Sequence, residues 1–258
     1  MHVNKLFDLS GRIAIVTGGT GLYGTPISEA LAEAGALVII ASRNKSRCEE
    51  WAAKLVERGL NASGDGYDQG SEESILAFSE RILNQHGAVD IMVNNSVGRF
   101  MGSYEDSLED WRKSMEINAT GLFAISRAFL YPMMKRRSGS MINIGSVQGM
   151  VAPDFSNYAG TEMTTPPDYQ FHKHGMVGLT KYLAAWAGSS GVRVNAISPG
   201  GYNPDVAKEP FLSQYNRRVF LGRMAGDDDI KGVTVFLASE ASSYITGQNI
   251  ALDGGYTC

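Results

Sequence analysis

The chain has 258 residues, 43% hydrophobic and 19% charged, which is ample apolar material for a full core and argues against a disordered chain. Its net charge is −4 with the basic residues scattered, so the electrostatic footprint of a nucleic-acid binder is absent. Two cysteines, Cys48 and Cys258, make no disulfide framework, and neither a signal-peptide pattern nor an apolar run near the roughly 20 residues of a membrane span occurs; a cytoplasmic protein without nucleic-acid or membrane partners is expected.

Short runs rich in Ile and Val alternate with stretches of helical period. Arg12–Thr17 reads as a strand followed by a helix at Thr25–Ala34, and Ala36–Ala41 as a strand followed by a helix at Ser46–Arg58. A weaker strand falls at Ala62–Tyr67, where glycines dilute the pattern, before a helix at Ser71–His86. Strand Val89–Val93, a long helical stretch at Ser107–Lys135 and strand Ser140–Ile144 come next. Helix His172–Ala187, strand Val192–Ala196, helix Asp227–Ser239 and strand Asn249–Leu252 complete the order. Apolar runs of this kind suit strands buried on both faces of a parallel sheet. The alternation predicts an α/β fold, a Rossmann-like doubly wound parallel sheet. No Pro- or Ser-rich linker divides the chain, so a single domain over residues 1–258 is expected, with a substrate lid at about 203–225.

Between the first strand and its helix stands Thr17-Gly18-Gly19-Thr20-Gly21-Leu22-Tyr23-Gly24, in which Gly19, Gly21 and Gly24 form G-x-G-x-x-G. Glycines there allow a tight turn and a close backbone approach to a pyrophosphate, which the N-terminus of the following helix then faces. Gly18, Gly19, Thr20, Gly21, Leu22 and Gly24 are therefore candidate cofactor contacts. The second strand ends in Ser42-Arg43-Asn44, without the carboxylate that would bond a ribose 2′-hydroxyl. Ser42 and Arg43 suit a 2′-phosphate, so NADP is expected rather than NAD.

Further motifs follow: Asn94-Asn95-Ser96-Val97-Gly98, Asn118 within the long helical stretch, Ser146 after a strand, and a Tyr-x-x-x-Lys helix start. Ser198-Pro199-Gly200, Ile245-Thr246-Gly247-Gln248 and Asp253-Gly254-Gly255 extend the series. With these the chain resembles the short-chain dehydrogenase/reductase family, in its single-domain branch, over its whole length. The resemblance implies hydride transfer between a nicotinamide cofactor and a carbonyl or alcohol carbon. It implies that Asp68 flanks the adenine, that Asn94 lies along the cofactor, and that Ser96, Gly98, Pro199, Gly200 and Asn203 complete its site. It further implies a catalytic set of Asn118, Ser146, Tyr169 and Lys173, the last two also touching the cofactor, and a homotetramer.

Two tyrosines compete for the acid–base role. Tyr158 stands at nearly the family's usual distance after Ser146, but the residue four positions on is Glu162. Tyr169 stands further along and is followed at that spacing by Lys173. On a helix such a pair shares a face, and an ammonium favours a phenolate where a carboxylate opposes it. Tyr169 is accordingly the candidate. The spacing then implies an insertion of roughly ten residues, from about Asn157 to Asp168, stiffened at its end by Pro166 and Pro167.

Three features depart from the family pattern: the glycine spacing, the long separation from Ser146 to Tyr169, and Pro204 where the family often has a threonine. The glycine spacing is closer to the extended branch, so an epimerase or dehydratase that retains its cofactor is an alternative, and a non-catalytic NADP-binding regulator is another. Arg99, Gln148 and Tyr202 are candidate substrate contacts, and their polarity suits a sugar or sugar acid. The segment PPDYQFHKHGMVGLTKYLA is similar to that of gluconate dehydrogenases. No spacing of His, Cys and carboxylates suggests a metal site.

Overall fold

The computed structural model describes residues 2–202 and 207–258. Among them seven strands form one sheet of order β3-β2-β1-β4-β5-β6-β7, and every pairing is parallel. The strands are β1 (Ile13–Thr17), β2 (Leu37–Ser42), β3 (Ala62–Gly66), β4 (Ile91–Asn94), β5 (Gly139–Ile144), β6 (Val192–Pro199) and β7 (Asn249–Leu252).

Successive side chains of a strand point to opposite faces, so the apolar runs feed two cores at once. Ala14, Val16, Val38, Ile40 and Val93 face a layer built by α2 (Gly24–Glu33), α3 (Lys45–Glu57) and α9 (Asp227–Ala238). Ile15, Ile39, Ala41 and Met92 face the other, built by α4 (Glu72–His86), α6 (Leu122–Arg136) and α7 (Pro167–Ala187). Shorter helices are α1 (Val3–Leu6), α5 (Leu108–Met115) and α8 (Phe211–Asn216), the last within the expected lid. No helix among the described residues is long and apolar enough to cross a membrane.

Every strand expected from the sequence is present in this doubly wound sheet, with differences at the ends. β6 runs on to Pro199, and α7 begins at Pro167 rather than at His172. Proline at the first helical position gives up an N–H that would have had no partner there. The stretch expected as one helix at Ser107–Lys135 is interrupted: Glu116–Gly121 winds as a π-helix between α5 and α6. Such segments are uncommon and recur at functional sites.

β1 and β4 are neighbours, yet the chain leaves them toward opposite sides of the sheet, and this parting opens a crevice at their C-terminal ends. Thr17 braces it. Its Oγ1 accepts from the N–H groups of Asn95 (3.0 Å) and Ser96 (3.2 Å) and donates to the Val93 carbonyl (3.2 Å). That uses the whole hydrogen-bonding capacity of a hydroxyl. Asn95 Nδ2 adds a bond to the Gly18 carbonyl at 2.9 Å, tying the two loops together. Thr17→Val should cost about 2 kcal/mol of stability, because two N–H groups and a carbonyl lose their partner, while Thr17→Ser should cost less than half of that. Urea denaturation midpoints for the two variants check this.

Candidate active site

The glycine loop turns within four residues: Gly21 N–H donates to the Gly18 carbonyl at 2.9 Å, and Gly18 has φ +60°. A Cβ on Gly24 would sit 2.7 Å from Gly19 Cα, so the first turn of α2 can lie against the loop only without a side chain there. α2 has no side-chain cap and no acidic residue in its first turn. Its leading N–H groups are thus left for an anion, and the cradle fits a pyrophosphate.

Beside the loop lies a cavity of about 150 Å³ whose lining includes Gly18, Ser42, Arg43, Asp68, Ser96 and Gly98. The structure therefore brings these expected cofactor residues together. The Asp68 carboxylate accepts from Gly70 N–H at 2.9 Å, while Ser71, not Asp68, caps α4. Asn94, read as lying along the cofactor, turns its side chain inward: Nδ2 donates to Ser126 Oγ (3.1 Å) and Asn143 Oδ1 (2.8 Å). Its neighbour Asn95 makes the contact with the glycine loop instead. Arg47, which the sequence reading passed over, extends from the first turn of α3 to the Thr20 carbonyl at 3.4 Å. Pro199 ends β6, and the Gly200 carbonyl accepts from the Tyr23 hydroxyl at 3.3 Å. Asn203 and Pro204 lie outside the described residues.

Gly98 also lines a second cavity, of about 370 Å³, together with Arg99, Ser146, Gln148, Tyr158 and Tyr169. Tyr169 and Lys173 share a face of α7, and Lys173 Nζ lies 5.6 Å from the centre of the Tyr169 ring. The same ammonium donates to the Ile144 carbonyl at the end of β5 at 2.6 Å. The Arg99 guanidinium carbon lies 5.4 Å from the Tyr169 ring centre. Ser146 Oγ accepts from Gln148 N–H at 3.2 Å, in the short helical turn that follows β5.

Asn118 sits in the π-helix and does not line either cavity; it shapes both. Its Oδ1 accepts from Gly98 N–H and its Nδ2 donates to the Gly98 carbonyl, each at 2.8 Å. Nδ2 also reaches Ser114 Oγ at 3.0 Å, and Ser114 donates to Asp168 Oδ2 at 2.5 Å. Asp168, buried in the cavity wall next to Tyr169, was not singled out by sequence.

Tyr158 shares the cavity but has no lysine beside it. Its phenol is pushed upward in pKa chiefly by burial, not by Glu162, which is exposed. Tyr202 packs against Tyr23 with ring centres 4.3 Å apart and donates to Asp227; among the described residues it is not part of the cavity lining.

A family model described as Enoyl-(Acyl carrier protein) reductase matches residues 23–257. The chain belongs to the short-chain dehydrogenase/reductase family. It is 35% identical over 252 residues to the 3-oxoacyl-(acyl-carrier-protein) reductase of Aquifex aeolicus, covering 96% of this chain and 98% of that one. It is 34% identical over 263 residues to the D-threitol dehydrogenase of Mycolicibacterium smegmatis, covering 100% of this chain and 97% of the relative. Among solved structures, a gluconate 5-dehydrogenase of Burkholderia cenocepacia J2315, in complex with NADP and tartrate, superposes with a TM-score of 0.90 at 30% identity, covering 99% of each chain.

In this short-chain dehydrogenase/reductase, burial and then the charge of Arg99 pull the Lys173 ammonium down to about 7, from an ordinary 10.5. The unfolded chain therefore keeps the proton up to 10.5 while the folded one releases it near 7. Below that lower value the cost of the buried charge is complete, and it declines as pH rises through the window between the two. Lys173→Met removes this cost. Its stability advantage over the unsubstituted chain should shrink by on the order of 2 kcal/mol between about pH 6 and about pH 9. Thermal and urea unfolding across that range check it, and a pH-independent difference would contradict a buried ammonium.

Proposed function

We propose that the chain catalyses NADP-dependent hydride transfer between the nicotinamide and a carbonyl or alcohol carbon of a small polar substrate, a sugar, polyol or sugar acid. The observation that carries this reading is the single cavity in which Ser146 and Tyr169 meet beside a buried Lys173, joined through Gly98 to the cleft of the glycine loop. When bound, the nicotinamide supplies or accepts the hydride at its C4 carbon. In the reductive direction Tyr169 gives a proton to the oxygen of the substrate, and Ser146 Oγ hydrogen-bonds the same oxygen as negative charge develops on it. Lys173 steadies the charge left on the phenolic oxygen, and its bond to the Ile144 carbonyl holds it in position. Asn118 keeps Gly98 fixed between the two cavities. The oxidative direction reverses each of these steps.

NADP is supported by Ser42 and Arg43 at the end of β2, with Arg47 as a second cation near the loop and no carboxylate at that strand end. The NADP held by the gluconate 5-dehydrogenase agrees with this choice, and its tartrate and the threitol-oxidising relative point to short hydroxylated substrates. A homotetramer belongs to the same proposal, supported by the open, half-buried edge strand β7.

The test is a panel of sugars, polyols and sugar acids followed by nicotinamide absorbance with both cofactors. NADP should be preferred at least about tenfold, and Arg43→Ala should erode that preference; turnover with NAD alone overturns it. An epimerase or dehydratase would convert substrate without a net absorbance change. Tyr169→Phe should lower kcat by about 10²–10⁴ with cofactor binding retained. Full activity in Tyr169→Phe, with the loss found in Tyr158→Phe, overturns the choice of tyrosine.

A further inference from the structure

We infer that Tyr158 is a substrate-recognition residue, its hydroxyl and the amide of Gln148 reading the hydroxyl groups of a short polyhydroxylated substrate in the cavity that holds Ser146 and Tyr169. The inference rests on the oxidoreductase reading above and assigns its specificity to the inserted segment before α7.

Tyr158 remains a neutral phenol, because burial opposes its ionisation and no cation accompanies it, so it both donates and accepts hydrogen bonds. Its hydroxyl meets Gln148 Nε2 at 3.5 Å, the outer limit of a hydrogen bond, which leaves capacity for a ligand. Gln148 Oε1 is occupied, accepting from Thr165 Oγ1 at 2.5 Å. That bond orients the amide, with its NH₂ toward Tyr158 and one N–H to spare. Asp168 lies in the same wall, its Oδ2 accepting from Ser114 and its Oδ1 buried. Donors and acceptors in alternation suit hydroxyl groups, which offer both, and they suit a thioester-linked acyl chain poorly, since each would be buried unpaired against methylenes.

The wall is also held in place. The Tyr158 ring stacks on Phe211 of α8 at 5.4 Å. Phe211 lies 5.8 Å from Tyr215, and Tyr215 stacks on Tyr256 at 4.8 Å. Gln214 Nε2 donates to the Ala159 carbonyl and Asn157 Nδ2 to the Tyr256 hydroxyl, each at 2.8 Å. Asp154 and Arg218 form an ion pair across the same junction. Insertion and the described part of the lid thus form one connected wall.

The experiment compares the unsubstituted chain, Tyr158→Phe and Gln148→Leu at saturating NADP. The probes are D-threitol and D-gluconate, each set against a counterpart lacking the hydroxyls beyond the reacting carbon, 2-butanol serving for threitol. Phenylalanine keeps the stack on Phe211, and the glutamine variant tests the same wall should Tyr158→Phe fold poorly. Each variant should lose about tenfold more in kcat/KM on the hydroxylated probe than on its counterpart, through KM. Equal losses on both members of a pair, or none on either, overturn the recognition role while hydride transfer stands. Turnover of 2-butanol without turnover of either hydroxylated probe overturns it as well. If no probe and no member of the wider panel is turned over, the oxidoreductase reading fails and the recognition role falls with it.

Discussion

One side-chain amide sets the frame of the site. Asn118 clamps both backbone polar groups of Gly98, and Gly98 is the residue that the two cavities share. The helix that carries it winds through a π segment at that point. From Asn118 the hydrogen bonds continue through Ser114 to Asp168, which immediately precedes Tyr169 at the start of α7. The loop after β4, the π segment and the helix bearing Tyr169 and Lys173 are therefore one connected unit. Inside a low-dielectric interior such a chain is strong when complete and costly when broken at any member.

Two cations flank Tyr169, while the cavity wall also carries the buried Asp168, bonded to Ser114. Among the described residues the buried Lys173 donates to one carbonyl, and Arg99 lies over the neighbouring ring. His172, edge-on to Tyr169, is pushed down to about 3 by burial and by Lys173, so it stays neutral and adds no further positive charge. A buried ammonium held by a carbonyl carries an unfavourable self-energy. The arrangement becomes favourable where negative charge arrives, on an anionic cofactor or on an oxygen gaining charge during reaction.

Much of this was readable from sequence, for identifiable reasons. A parallel sheet buried on both faces demands apolar runs, so β1 and β2 stand out; β3 is half-buried and its glycines blur it. Tyr169 and Lys173 stand at helical spacing in the sequence, and in α7 they share a face as that spacing implies. Asn94 and Asn95 show where such rules stop. Adjacent residues at a strand end point opposite ways, and only the paired register shows that Asn94 turns into the core. Arg47 escaped notice because its contact, Thr20, is remote in sequence. The contact of Tyr158 with Phe211 is likewise a product of tertiary packing, which no local pattern encodes.

The row of aromatic rings from Tyr158 to Tyr256 bears on how such a cavity can arise by descent. Phe211 and Tyr215 present their rings to the inserted segment on one side and to the C-terminal residues on the other. Without the insertion, Phe211 would lose its stacking partner and Gln214 its carbonyl acceptor; without the matching lid, Tyr158 would have no face to lean on. Three stretches distant in the chain thus support one another, and the loop keeps its place only as part of that set. Transplanting it alone into a relative would deliver an unsupported excursion rather than a new pocket.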